Sequence, residues 1–156
     1  MPITSQLAKH LREVHNGGNW TDVNLKDTLQ GVDWKLATTK VQSFNTIAAL
    51  VYHINYYVVA INKVLEKKAL DSSDKFSFGV GPVTSQDDWE KLIDNSFSEV
   101  DKCAGLIEQL PESKLSDVFV TEKYGNYLRN ILGVIEHSHY HLGQIVMIKK
   151  ILSRGI

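Results

Sequence analysis

Apolar side chains recur at intervals of three and four residues along four long segments, and this spacing constrains the fold more than any other feature. The clearest example is the stretch between residues 47 and 65. Such spacing is typical of amphipathic α-helices that bury one face against their neighbours. No segment alternates apolar and polar residues over the length of a strand, although Val118–Val120 is compatible with a short extended piece. The sequence therefore predicts an all-α fold built as a four-helix bundle.

Turn-forming and capping residues set the predicted helix boundaries. The first helix is expected from about Thr4 to His15, and a short one from Asn24 to Leu29, with Asp22 or Asn24 as its N-cap. The next long helix should begin after an N-cap at Ser43 and end at about Lys68. The last two are expected from Thr84 or Ser85 to the stop at Pro111, and from about Tyr124 to Ser153 with Gly155 as terminator. Residues 71–82 contain too much Gly, Pro and Ser for a helix. They predict a long surface loop, and long loops in compact domains are often functional.

Composition and charge restrict the classes of partner. A chain of 156 residues predicts one domain, spanning residues 1–156. The formal net charge of −1 gives no electrostatic footprint for nucleic acid. Polar residues interrupt the longest apolar run and the N-terminus has no apolar signal core, so we expect a cytoplasmic protein with no membrane partner. The single cysteine, Cys103, excludes an intramolecular disulfide and is interpreted as a buried structural thiol.

Two histidines one helical turn apart give the strongest chemical signal. His137 and His141 stand at positions i and i+4 of the last predicted helix, so their imidazoles share one face. His53 holds a similar flank of the second long helix and would meet them if the two helices are neighbours. Three neutral imidazoles suit Zn²⁺ or Ni²⁺, with Fe²⁺ or Co²⁺ as further candidates. They also leave coordination positions open, as catalytic metal sites do.

The same histidines have a structural interpretation. Pairs with this spacing also occur on helix surfaces and in hydrogen bonds, and a buried His53 could pair with a hydroxyl or a carboxylate instead of a metal. His10, His15 and His139 are interpreted as surface or flank residues. A metal site, unlike this alternative, requires the three imidazoles to converge.

Several other side chains are candidates for roles near the histidines. Tyr57 and Gln144 lie on or near the histidine flanks and are candidates for binding a cofactor or substrate, with packing or a hydrogen bond to a ligand histidine as the competing role. Tyr140 is a weaker candidate, and Glu136 is expected to point off the histidine face. Candidate residues for the mouth of a pocket are the loop aromatics Trp20, Phe76 and Phe78.

The segment from Tyr124 to Ile145 resembles the last helix of the DinB/YfiT-like superfamily, whose signature is His-x-x-x-His followed by Gly-Gln and an apolar residue. Residues 43–53 resemble the segment that carries the first metal histidine of that superfamily. Residues 18–25 look like its linker after helix one, and Trp89 falls where its third helix often carries a tryptophan. The resemblance covers nearly the whole chain in order.

This resemblance implies an antiparallel four-helix bundle with a divalent metal held by His53, His137 and His141. Characterised relatives include transferases that use bacillithiol, mycothiol or glutathione-like thiols, as well as maleylpyruvate isomerases and hydrolases, and dimers are common. We therefore expect a homodimeric metal-dependent transferase that adds a low-molecular-weight thiol to an electrophilic small molecule. The metal would bind the thiol sulfur and favour its thiolate.

Two alternatives stay open. One is a metal-dependent hydrolase, which would use the same three histidines to activate water. The other is a non-enzymatic dimeric bundle that binds a metal or another ligand. Incorporation of the thiol into product separates the transferase from both alternatives.

Overall fold

The computed structural model describes residues 1–154, and six α-helices make up most of them. They are α1 (Ile3–Asn16), α2 (Leu25–Thr28), α3 (Trp34–Thr38), α4 (Ile47–Leu65), α5 (Gln86–Glu108) and α6 (Tyr127–Arg154), with short 3₁₀ turns at Asp74–Phe76, Glu112–Ser116 and Glu122–Tyr124. The predicted all-α class is confirmed for the described residues. Gly155, the predicted terminator of the last helix, lies outside them.

The start of α4 differs from the sequence prediction. Thr46 is its N-cap, because the Thr46 hydroxyl accepts a hydrogen bond from the backbone N–H of Ala49. Ser43 had been expected there, and both residues have the short hydroxyl side chain that suits an N-cap. Sequence alone does not show which hydroxyl meets a free N–H group, so the predicted start was a few residues early.

The remaining boundaries lie within three residues of the prediction, with one helix added. Helix α4 ends at Leu65 and not near Lys68, and α6 begins at Tyr127 and not near Tyr124. Asn24 caps α2 and Ser85 caps α5, as predicted. The addition is α3, which Asp33 caps by accepting a hydrogen bond from the backbone N–H of Leu36. A helix of 5 residues is too short to show a readable periodicity. Val118–Val120 does not form a strand, but Val118 makes an isolated antiparallel bridge with Asn126.

Apolar side chains from the four long helices form one buried cluster. Trp89 of α5 is fully buried within it, and its indole N–H donates a hydrogen bond of 2.8 Å to the carbonyl of Val32. The only polar group of this large side chain is thus satisfied. Cys103 is also buried, as predicted, and burial raises the pKa of its thiol to about 12. No helix among residues 1–154 combines the length and the apolar character needed to cross a membrane.

The four long helices contact one another in a closed ring, α1 with α5, α5 with α4, α4 with α6 and α6 with α1. This set of contacts is compatible with a helical bundle. Helices α1 and α5 run in opposite directions. Ile3 at the start of α1 bonds Glu112 just beyond the end of α5, whereas the ring of His15 at the other end of α1 meets that of Phe97 in the middle of α5.

Helices α4 and α5, by contrast, run in the same direction. The Asn62 side chain bonds the carbonyl of Glu99, and one turn further along both helices Lys102 pairs with Glu66. This differs from the uniformly antiparallel packing that the family resemblance implies. Amphipathic spacing determines which face of a helix is buried but not its direction, so the sequence pattern did not distinguish the two arrangements.

The connection between α4 and α5, residues 66–85, returns the chain to the end of the molecule where α4 began. We call it the crossover segment. It runs back along the outside of α4, where Asp71 pairs with Lys63 and Asp74 accepts a hydrogen bond from the Tyr57 hydroxyl. Helix α4 is about 28 Å long, a distance that a segment of this length can span. The loop predicted at residues 71–82 thus exists, with one 3₁₀ turn in it.

Candidate metal centre

The three predicted histidines lie together between α4 and α6. The candidate ligand nitrogens of His53, His137 and His141 all lie within 4.8 Å of one another. His53 and His141 are buried and His137 is half-buried. The structure therefore brings together the side chains that the helical spacing had placed on facing flanks. We call these three residues the histidine cluster.

The histidine cluster owes its shape to the packing of α6 against α4. His137 and His141 are one turn apart on α6, and their ring centres are 4.4 Å apart. His53 of α4 faces both, with ring centres 4.8 Å from His137 and 4.6 Å from His141. The three rings thus form a nearly equilateral triangle, in which no imidazole is much further from the centre than the others.

Hydrogen bonds at the outer ring nitrogens orient two of the three imidazoles. The Nδ1 of His53 lies 3.0 Å from the backbone carbonyl of Ser77, and the Nδ1 of His141 lies 2.7 Å from the side-chain oxygen of Gln144. Both partners are acceptors, so each Nδ1 carries the hydrogen of the neutral ring. The Nε2 lone pairs of His53 and His141 are then free to bind an ion, and a histidine held in this way is characteristic of metal sites.

The inner nitrogens of His53 and His137 are spaced as two ligands of one ion would be. The Nε2 atoms of His53 and His137 are 3.1 Å apart. Two nitrogens bound tetrahedrally at about 2.0–2.1 Å from a zinc ion are about 3.3 Å apart. Without an ion, this distance requires His137 to carry its hydrogen on Nε2 and to donate it to Nε2 of His53, whereas both lone pairs could face a bound ion. The donor set therefore fits a divalent cation.

Burial favours the neutral form of two of the three imidazoles, His53 and His137. The pKa of His137 is lowered to about 4, mainly by burial and also by the nearby His141 and His53. The pKa of His53 is also lowered, mainly by burial, although its hydrogen bond to the Ser77 carbonyl opposes the shift. Neutral imidazole is the form that binds a metal, so protons compete weakly with a metal for His53 and His137.

Aromatic rings from the crossover segment and from α4 surround the cluster. The ring of Phe78 stacks on His53 at 3.7 Å, with an angle of 7° between the planes. The ring of Tyr57 stands edge-on to both His53 and His137. Burial and the hydrogen bond to Asp74 raise the pKa of the Tyr57 hydroxyl, so it stays protonated at neutral pH and is not a general base. These rings limit the access of water to His53.

A cavity opens beside His137. Its volume is about 1010 Å³, and its lining includes Glu136, His137, Asp74 and Tyr57, which contacts both His137 and Asp74. Glu136 was expected to point off the histidine face, yet it lines the same cavity as His137. A small molecule in this cavity would reach the histidine cluster from the His137 side.

Other sequence interpretations have mixed outcomes. His15 was interpreted as a surface residue, which is wrong, because its side chain is fully buried beside Phe97. Trp20 is 96% exposed and lies outside the residues that line the cavity, so it does not form the mouth of that cavity. Phe76 is exposed as well, whereas Phe78 contacts the cluster.

Sequence reasoning missed the roles of Ser77 and Asp74. Ser77 contributes a backbone carbonyl, which any residue type would supply, so its identity carries no signal. Asp74 lies in an irregular segment whose path along α4 cannot be deduced from periodicity. The only sequence sign of either role was the unusual length of the loop that carries them.

Comparison with protein-family models, with curated proteins and with solved structures gave no match to this chain. The resemblance to the DinB/YfiT-like superfamily thus stays a prediction from its motifs. The chemical evidence for the site is the geometry of the histidine cluster and of the cavity beside it.

Proposed function

We propose that this protein is a divalent-metal-dependent enzyme of DinB/YfiT-like type that transfers a low-molecular-weight thiol to an electrophilic small molecule. The observation that carries the proposal is the convergence of the three imidazoles, with ligand nitrogens within 4.8 Å of one another. Zn²⁺ and Ni²⁺ are the ions that suit neutral nitrogen ligands best. When bound, such an ion would act as a Lewis acid that lowers the pKa of a coordinated thiol.

The residues around the histidine cluster have separable roles in this proposal. His53, His137 and His141 hold the ion and leave coordination positions open for substrate. Gln144 holds His141 in place through the 2.7 Å contact at Nδ1. Phe78 covers the face of His53 and excludes water from that side. Positioning and a dry pocket are what the protein itself contributes to such a transfer.

The cavity is large enough for the two substrates of a transfer. Sites for a single drug-sized ligand are about 300–1,000 Å³. The cavity beside His137, at about 1010 Å³, stands at the top of that range and has room for a thiol and a small electrophile together. A hydrolase needs space for one organic substrate and a water molecule.

The assignment of α1, α4, α5 and α6 to a DinB/YfiT-like four-helix bundle belongs to the same proposal, as do the homodimer and the cytoplasmic location. The closed ring of helix contacts supports the assignment to a bundle. The histidines at positions 137 and 141 of the last long helix, with the third on its neighbour α4, support it as well.

Metal content is the first test. Purified wild type and the matched variants His141→Ala and His139→Ala are analysed for transition metals before and after reconstitution. His139 is on the same helix but outside the histidine cluster. We expect near-stoichiometric Zn or Ni in wild type and in His139→Ala, and a loss of it in His141→Ala. An absence of metal from reconstituted wild type would overturn the proposal.

Product analysis is the second test. Metal-loaded protein is incubated with candidate thiols and electrophiles, and products are identified by mass spectrometry. A product that contains the thiol, formed by wild type and not by His141→Ala, supports the transferase. A product that contains water instead indicates the hydrolase. Metal binding without any turnover indicates the non-enzymatic dimeric bundle.

A further inference from the structure

The cavity beside the histidine cluster extends along the first turns of α6 to a pair of basic residues. Its lining includes His137 at one end and Arg129 and Lys123 at the other. Positions 129 and 137 are about 12 Å apart along the helix axis. Between them the lining is mostly apolar and includes Ile61 and Leu132.

The two ends of the cavity carry opposite charges. Asp74 bonds Tyr57, whose ring contacts His137, and Glu136 adjoins His137 in α6, so both carboxylates lie at the His137 end. Arg129 stands in the first turn of α6 and Lys123 precedes the helix, so both basic residues lie toward the other end. Neither basic residue forms an ion pair with any carboxylate of residues 1–154. The Asp74 carboxylate, in contrast, already accepts a hydrogen bond from Tyr57. An anionic ligand would therefore orient its charge away from the carboxylates and toward Arg129.

Helix stability does not explain why an arginine stands at position 129. The residue lies in the first turn of α6, where the partial positive charge of the helix dipole disfavours a cation. Gly125 has a φ of +75°, and a Cβ atom at that position would lie 2.7 Å from Cδ of Arg129. The glycine thus leaves room for the arginine side chain beside the cavity.

We propose that the cavity binds an elongated small molecule with a carboxylate held by Arg129 and Lys123, an apolar middle, and its reactive group at His137. The planar guanidinium can donate two parallel hydrogen bonds to a carboxylate, which gives orientation as well as affinity. This inference rests on the proposed function, because the reactive group is the thiol or the electrophile of the transfer.

Binding of a matched acid and amide tests the inference. The affinities of 8-mercaptooctanoate and 8-mercaptooctanamide are measured by calorimetry on zinc-loaded wild type, Arg129→Gln, Arg129→Lys and Lys91→Gln. Lys91 is an exposed cation of α5 outside the cavity and serves as the control. We expect Arg129→Gln to weaken binding of the acid about tenfold, as for loss of one charged hydrogen bond, and to leave the amide unaffected. The Arg129→Lys variant should retain part of the preference for the acid.

Two results would overturn the inference, namely equal affinities of acid and amide in wild type, or an Arg129→Gln variant that binds the acid as wild type does. Octanoate, which has no thiol, distinguishes a failure of this inference from a failure of the proposed function. Its carboxylate can bind metal-free protein, so its affinity reports on the anion site alone. Octanoate binding that depends on Arg129, in a protein that takes up no zinc, would support the anion site and reject the transferase. Zinc uptake together with ligand affinities that do not depend on the carboxylate would reject the anion site and leave the transferase standing.

Discussion

The side-chain oxygen of Gln144 lies 2.7 Å from Nδ1 of His141, one turn away on α6. An amide oxygen only accepts hydrogen bonds, so this contact places the imidazole hydrogen on Nδ1 and turns the Nε2 lone pair toward the other two histidines. We expect Gln144→Leu to weaken zinc affinity by about 10- to 100-fold, the usual effect of losing a hydrogen bond that orients a metal ligand. Competition with a chromophoric chelator measures the change.

The control for this variant is Gln144→Glu, which keeps an acceptor at the same position. Its zinc affinity should stay close to that of wild type. Unchanged affinity in Gln144→Leu would contradict the assigned orientation of His141 and would return Gln144 to the role of a substrate contact.

Zinc should stabilise the folded protein in a way that depends on the histidine cluster. A ligand that binds only the folded state at 100 times its dissociation constant adds about 2.7 kcal/mol to the free energy of unfolding. We expect a gain of that order for wild type and for His139→Ala, but not for His137→Ala. Urea unfolding with zinc and with a chelator measures it. An equal gain in His137→Ala would place the bound zinc elsewhere.

How far the sequence predicted the site depends on the type of element that carries each residue. His137 and His141 were found because a helix fixes the relative direction of residues four apart, and His53 because apolar neighbours revealed its flank. Ser77 was missed because the crossover segment has no periodicity and contributes a backbone carbonyl. Residue spacing thus predicts which side chains share a face of a helix, but it does not predict the path of the segments that pack onto that helix.

The error at His15 has a similar explanation. Its neighbours Asn16, Gly17 and Gly18 suggested an exposed helix end. His15 is, however, one turn beyond Leu11, which is fully buried, and the two share the face of α1 that contacts α5. The burial of His15 is therefore determined by its position on this face of α1 and not by its closeness to the loop.

Burial of His15 predicts a loss of stability in mild acid. The pKa of His15 is lowered to about 4, because burial and, less strongly, His139 outweigh the hydrogen bond of Nδ1 to the Leu11 carbonyl and the nearby Asp101, which raise it. The unfolded chain has a histidine pKa of about 6.5. Below that pH the unfolded state takes up a proton that the folded state does not, so the free energy of unfolding falls as the pH drops from about 6.5 toward 4.

The effect of this one group is about 2 kcal/mol between pH 7 and pH 5. Urea unfolding of wild type and His15→Leu, both with a chelator, measures it at the two pH values. The metal-free histidine cluster is the same in both proteins, so its contribution cancels from the comparison. We expect the wild type to lose about 2 kcal/mol more than His15→Leu. Equal losses would show that His15 is accessible to protons in the folded protein.

The crossover segment is held onto α4 by two tyrosines. The Tyr57 hydroxyl donates a hydrogen bond of 2.7 Å to Asp74, and the Tyr56 hydroxyl donates one to the carbonyl of Ser73. We expect Tyr57→Phe to weaken the attachment by about 1 kcal/mol. Amide hydrogen exchange in residues 71–78 should then be about fivefold faster, whereas exchange within α4 should not change, because local opening of a segment leaves the buried helix intact.

A matched Tyr52→Phe variant controls for the loss of a hydroxyl on the same helix, since Tyr52 makes no side-chain hydrogen bond to residues 1–154. The crossover segment carries Ser77 and Phe78, so faster exchange should accompany a modest loss of zinc affinity in Tyr57→Phe. If exchange is unchanged while thiol binding is lost, Tyr57 contacts the substrate, which is the role first expected for it from its place beside His53. Measuring both properties on one variant therefore decides between a residue that holds the segment and one that binds the ligand.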